Sequence, residues 1–375
     1  MNPTSMPLPA ATPLAPAAPP GREGAVRPYR PEDAGEAIRL SQIGFAGQRD
    51  PADWAWKLER ILTEPNPPFF VAEKAGQLAG MYPTRALPLQ LQGDRGVGIQ
   101  CQETCVHPAH RGGAMLRGLF RCAEQAWRDA GVPFAFGFPT EEHMKLGGRL
   151  LRYREMFRLQ VWRLSLTRGL RLQARLRPGC LRRLVYQAGA LLSQIDRPAA
   201  RSQSGVPGIA DLRRFDASVD QLWQQLRTRI PCTVVRDAAY LNWRYVERPG
   251  RPFTVLGATR DGGLDGYCVF RDDLIRSDGW QAGAVFDLLA MDQPTASALL
   301  RAALRRMRAA GCAYALALTH PQFQIAPVLS AAGFAPEPAQ TVIFCGKVYK
   351  PDLDIETLRR PADWLLSYGD TDHLG

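Results

Sequence analysis

Between Glu103 and Leu116 the chain reads ETCVHPAHRGGAML. An alternating run stops at a proline, passes through Arg111-Gly112-Gly113 and then takes up helical spacing. A basic, glycine-rich turn at the start of a helix leaves main-chain N–H groups without partners at the positive end of the helix dipole. That arrangement suits a phosphate or pyrophosphate. Metal chemistry has no such motif: the eight cysteines are scattered, with no CxxC pair and no His/Cys cluster. Neither a zinc site nor a disulfide framework is expected, and a reducing cytoplasm fits best.

The turn needs a strand before it and a helix after it. GVGIQCQETCVHP reads as the strand, and 116–130 as a helix with Leu116, Leu119, Phe120, Ala123 and Trp127 on one face. Around them lie a strand in AVRPYRPED, a helix over 33–45, a helix opened by Asp50-Pro51, and a hairpin in PFFVAEKAGQLAGMYPTR. VPFAFGFP and MFRLQVWRLSL supply further strands about a short helix, closing a domain near 167. With 375 residues, 46% of them hydrophobic, the chain can build two domains. The Pro/Ala-rich stretch 1–24 reads as a disordered tail without the features of a secretory signal. No apolar run reaches the roughly 18–20 residues of a membrane span. The net charge of +11 favours an acidic partner, whether a coenzyme phosphate, an anionic membrane or nucleic acid.

A block of the first half recurs in the second. Arg49-Asp50, Trp56-Lys57, Pro68-Phe69-x-Val71 and Gly76-x-Leu78-x-Gly80 are matched by Arg236-Asp237, Trp243-Arg244, Pro252-Phe253-x-Val255 and Gly262-x-Leu264-x-Gly266. Two copies of one fold are expected, over 25–167 and 207–350, with a C-terminal tail over 351–375. Between them, residues 156–195 hold eight arginines and no acidic residue. Segment 168–206 is read as a basic linker with an amphipathic helix, packed across the domains or touching an anionic membrane at its periphery. In the second copy the counterpart of the glycine turn is AMDQPTASALL, acidic and proline-containing, which is poor chemistry for a diphosphate.

The strand, the turn VHPAHRGGAML and the helix resemble motif A of the GCN5-related N-acetyltransferase (GNAT) superfamily, and the repeat suggests a tandem-domain branch of it. The resemblance implies an α/β fold of two tandem GNAT-like domains, each a mixed, mostly antiparallel sheet flanked by helices. It implies acetyl-CoA, or another acyl-CoA, as co-substrate and no metal. Arg111, Gly112, Gly113, Ala114, Met115 and Leu116 would bind the pyrophosphate, while Cys105 and Val106 would offer main-chain groups to the acyl-pantetheine. The motif departs from the family pattern at Ala114 and Leu116, where glycine and glycine or alanine are usual. An alanine is costly there if its φ is left-handed.

The activity so implied is acyl transfer to a primary amine, an amino sugar or polysaccharide precursor by loose association. Glu103 is the candidate general base, set against a solvated or salt-bridged carboxylate. His143 and Glu142 occupy the element where an acid is usual, and Tyr153 takes an aromatic packing position instead. Recurrence of tryptophan in both copies favours a core role for Trp54, Trp56 and Trp243 over an acceptor pocket. Cys101 and Cys105 read as buried thiols. Two alternatives stay open: a silent binding module, and an aminoacyl-tRNA-dependent transferase, although the diphosphate turn makes nucleic acid the weaker partner.

Overall fold

The computed structural model describes residues 25–45, 50–167, 208–250 and 253–371. The tail 1–24 and the linker 168–206, with its candidate membrane contact, lie outside the described residues. The first half runs β1 (Val26–Pro28), α1 (Ala34–Gly44), α2 (Pro51–Leu58), β2 (Phe70–Lys74), β3 (Gln77–Tyr82), β4 (Thr84–Leu91), β5 (Asp94–Cys101), β6 (Cys105–Val106), α3 (Ala114–Asp129), β7 (Phe134–Gly137), α4 (Glu141–Leu151) and β8 (Arg154–Ser165). The second runs β9 (Gly208–Asp211), α5 (Ala217–Leu226), β10 (Thr233–Val234), α6 (Ala238–Leu241), β11 (Thr254–Arg260), β12 (Gly263–Ile275), β13 (Gln281–Ala290), α7 (Gln293–Ala309), β14 (Tyr314–Thr319), α8 (Ala326–Ala331), β15 (Ala335–Val348) and α9 (Ile355–Leu358).

The helix caps and the hairpin turns of the repeat match in structure. Asp50 caps α2 by accepting the Ala52 N–H, and Asp237 caps α6 by accepting that of Tyr240. Ala75-Gly76 and Asp261-Gly262 turn the two matched hairpins, β2 to β3 and β11 to β12, with all four residues at positive φ. Such pairs follow the right-handed twist of the strands they join. Strands β4, β9 and β10 are absent from the sequence reading; β4 continues β3 past Pro83, is buried along its whole length, and holds a proline that argues against a central strand.

The two halves do not keep separate sheets. A small sheet, β1-β2-β3-β6, sits beside an eleven-stranded one ordered β10-β4-β5-β7-β15-β8-β14-β13-β12-β11-β9. The segment expected to close the first domain near 167, β8, lies between β15 and β14 of the second half. In exchange β15 lies against β7, with Cys345 opposite Gly137. Of the eight arginines in 156–195, Arg158 and Arg163 fall in β8, where the first pairs with Glu141 and Glu155 and the second stacks 3.8 Å from the Tyr314 ring.

One apolar core crosses the boundary between the halves, uniting Trp56, Phe136 and Phe344 with Trp223, Trp243 and Tyr267. A second lies on the opposite face of the first half's strands and packs α3 through Leu116, Leu119, Phe120, Ala123 and Trp127. At about 25 cal/mol per Å² of apolar surface buried, residues of this size each contribute about 1.5–3 kcal/mol.

Candidate functional site

Strand β5 pairs in parallel with β7 from Gly98 opposite Phe134 to Cys101 opposite Gly137, and no further. Beyond that point β5 is interrupted at 102–104 and resumes as β6, which pairs instead with β3. The two strands therefore part, and a cavity of about 360 Å³ opens at the gap. Side-chain alternation places Cys101, Gly137 and Cys345 on the α3 side of the sheet and Gln100, Gln102 and Phe138 on the side facing the second half. Leu116, Leu151 and Tyr153 line the cavity on the first side; Trp56, Trp243 and Arg244 line it on the other. It passes through the sheet and joins the start of α3 to the junction of the halves.

At the α3 terminus the conformation is made by glycine. Gly112 has φ 152° and Gly113, the N-cap, has φ 86° and no capping side chain. Space around Gly112 is open, while a Cβ on Gly113 would meet Leu150 Cδ1 and Arg117 Nη1 at 3.2 and 3.3 Å. Ala114 already lies within the helix, so the left-handed positions miss it and its methyl group is harmless. Among the described residues no hydrogen bond engages the N–H groups of Gly112 to Leu116; the first bond of the helix runs from Arg117 N–H to Gly113 O. The Arg111 N–H has a long bond, 3.4 Å, to Pro108 O. No acidic residue stands in the first turn, and Arg111 and Arg117 are exposed beside it.

Glu103 lies in the interruption of β5, lines the cavity and has φ 41°. A left-handed glutamate costs of order 1 kcal/mol and persists only where its surroundings hold it. Lys57 Nζ stands 2.7 Å from its Oε1, and Ser41 Oγ donates to its Oε2 at 2.9 Å. Cys105 turns its thiol toward Leu40 O on α1, 3.5 Å away, and burial raises its pKa; Val106 pairs with Gly80. His143 lines the cavity with Nδ1 3.1 Å from Thr140 Oγ1 at the start of α4. Glu142 is exposed on α4 outside the cavity wall.

Tyr153 packs in the core with α3, as expected, and also reaches the cavity. It lines the cavity with its hydroxyl 3.1 Å from Cys101 Sγ and 3.4 Å from that of Tyr82. Burial pushes the phenol well above its ordinary pKa and the Cys101 thiol up to about 11, so both stay protonated at neutral pH.

The tryptophans divide. Trp54 belongs to the core beneath α1. Trp56 and Trp243 stack at 4.9 Å across the junction, each indole N–H donating to the other's carbonyl, at 2.7 and 3.0 Å. They anchor the interface and also line the cavity. Arg85 lies over Trp243 at 4.2 Å. Arg244 donates to Gly369 O and Thr371 O, so the C-terminal segment forms part of the wall. Burial, and then the nearby charge of Arg244, push the Arg248 guanidinium down to about 10. Lys57, Arg244 and Gln102 escaped the sequence reading. For the first two a signal existed, since they follow the repeated tryptophans and a two-fold junction directs both to one place.

Among the described residues no group of three or more His, Cys, Asp and Glu side chains is placed to hold a metal ion, and no helix is long and apolar enough to cross a membrane.

The sequence model of the acetyltransferase (GNAT) domain matches residues 25–145. A GCN5-related N-acetyltransferase from Anabaena variabilis superposes with a TM-score of 0.61 at 11% identity, covering 86% of this chain and 72% of that one. Saccharomyces cerevisiae N-myristoyltransferase with bound myristoyl-CoA superposes with a TM-score of 0.58 at 12% identity, covering 94% of this chain and 87% of that one. At such identity the likeness is one of fold. No protein of curated function matches the chain in sequence.

Proposed function

From the GNAT domain carried by residues 25–145, we propose that the protein moves an acyl group from acyl-CoA to a primary amine by direct attack. The observation that carries this reading is the set of unengaged N–H groups from Gly112 to Leu116, at a helix start without an acidic residue. The diphosphate of coenzyme A fits there, and its pantetheine would run along β6, past the main chain of Cys105 and Val106, to the gap between β5 and β7. The amine nitrogen attacks the thioester carbonyl carbon, the C–N bond forms, the C–S bond breaks, and the sulfur leaves as the coenzyme A thiolate, which takes a proton from water. Glu103 takes the proton the nitrogen gives up. Lys57 and Ser41 hold its carboxylate at the gap.

The acceptor enters from the junction of the halves, where the cavity is polar. An amino sugar or a related saccharide precursor is the acceptor we favour, and acetyl the acyl group. Calorimetric titration with acetyl-CoA is expected to find one site per chain. Glu103→Gln should keep that affinity and lower kcat by roughly 100-fold or more at neutral pH. Absence of coenzyme binding would overturn the reading and leave a silent module.

A further inference from the structure

The wall on the junction side holds a polar relay whose direction is set from one end. Gln100 Nε2 donates to the main-chain oxygen of Asp370 at 2.6 Å, and that oxygen can only accept. Gln100 must then turn its Oε1 to Gln102, which answers with Nε2 at 2.7 Å. The amide oxygen of Gln102 is left over: this side chain is buried, lines the cavity, and its Oε1 has no hydrogen-bond partner. A buried acceptor without a donor costs about 1–3 kcal/mol, which a ligand N–H would offset.

Across the same chamber lie Arg244 and Arg248, both within 6 Å of one aromatic ring: their guanidinium carbons are 5.8 and 5.0 Å from the Trp56 ring centre. Asp53 pairs with Arg248 at 3.2 Å, whereas Arg244 donates to the main-chain carbonyls of Gly369 and Thr371. Of these two neighbouring cations, Arg248 is the one with an ion pair among the described residues. Burial, and then the charge of Arg244, lower the pKa of Arg248.

We propose that the acceptor is a small amine that also carries an anionic group, a carboxylate or a phosphate, with an amine N–H on Gln102 Oε1 and the anion against Arg244 and Arg248. The inference rests on the acyl-transfer reading above and narrows its acceptor. Gln102 binds the amine beside Glu103, and Gln100 is a positioning residue that acts through it.

Acetyl transfer is measured with the full chain, acetyl-CoA and matched amines: β-alanine against propylamine, and glucosamine phosphate against glucosamine. The anionic member of at least one pair should have a kcat/KM at least tenfold above its neutral partner. The better pair distinguishes carboxylate from phosphate. Arg248→Gln should shrink that preference about tenfold and Arg248→Lys should restore part of it. Gln102→Leu should raise KM for the amine tenfold or more with the acetyl-CoA affinity unchanged, and Gln100→Leu should follow it in KM more than in kcat. Thermal melts of each variant separate these effects from loss of fold. Equal rates within both pairs, or no amine acylated although acetyl-CoA binds, would overturn the inference and leave the coenzyme reading standing. Loss of acetyl-CoA binding by the unmodified chain would overturn the reading beneath it.

Discussion

The two halves contain the same opening between parallel strands and treat it in opposite ways. In the first, β5 and β7 pair over four residues, and Glu103 follows two residues after the last pair, beside an open cavity. In the second, β13 and β14 pair over four residues, Ala282 to Val285 against Tyr314 to Ala317, and Asp287 follows two residues after the last pair. Asp287 is 1% exposed, held by Arg236 at 2.9 Å and by the hydroxyl of Tyr245 at 3.1 Å. The C-terminal residues Leu365, Leu366 and Ser367 fill that opening to within about 20 Å³. Arg236 also grips Asp370 at 2.7 Å, so the segment that closes one site goes on to wall the other.

The helix starts repeat the contrast. Gly113 caps α3 with no side chain, whereas Asp292 caps α7 with its own carboxylate on the Thr295 N–H, and Pro294 removes another donor. A helix end that supplies its own anion has no need of a foreign one. One opening is therefore left clear, and the other is fastened shut by the chain itself.

The largest effect should come from breaking the sealed carboxylate. Arg236→Met strands Asp287 and Asp370 in the core and should lower stability by roughly 3–5 kcal/mol. The matching change in the open site, Lys57→Met, leaves Glu103 beside a cavity that water can enter, and should cost about 1 kcal/mol. Chemical denaturation of both variants checks the difference, and equal losses would erase the distinction between sealed and open sites. Next, Gly113→Asp gives α3 the kind of cap that α7 has. Aspartate tolerates left-handed φ better than most residues, so the fold should survive while the Kd for coenzyme A rises roughly 100-fold, about 2.7 kcal/mol.

The smallest effect concerns Asp292, whose pKa is lowered by its hydrogen bonds to Thr295, side chain and then main chain. A depressed carboxylate contributes stability above its unfolded pKa, about 3.9, and loses it as pH falls through the folded value. Asp292→Ala should therefore cost about 1 kcal/mol at pH 7, a cap's usual contribution. The gap to the unmodified protein should close below about pH 4 in denaturation curves taken across that range. A gap that stayed constant with pH would mean the carboxylate does not act as a charged cap.

Local features were legible where local physics decides them. The caps at Asp50 and Asp237, the apolar stripe of α3 and the glycine turn at Arg111 each follow from a few neighbouring residues. The repeat was legible for the same reason, since matched turns need matched residues. Strand β4 was hidden because Pro88 speaks against a central strand, and only a partner on each side makes it one. Tyr153 was legible as a packing aromatic, but not its hydroxyl's place in the cavity, because its neighbours in sequence say nothing of Cys101 and Tyr82, which approach it from two other strands.

By itself, then, the order of residues determined most of the first half's elements, the repeated block and the glycine turn at the start of α3, all matters of backbone conformation and short-range spacing. Tertiary structure alone decided that β8 and β15 change places, that Trp56 meets Trp243, and that residues 369–371 return to line a cavity in the other half. These are contacts between segments more than a hundred residues apart. They depend on which surfaces bury each other once the chain has closed, and no local spacing carries that information.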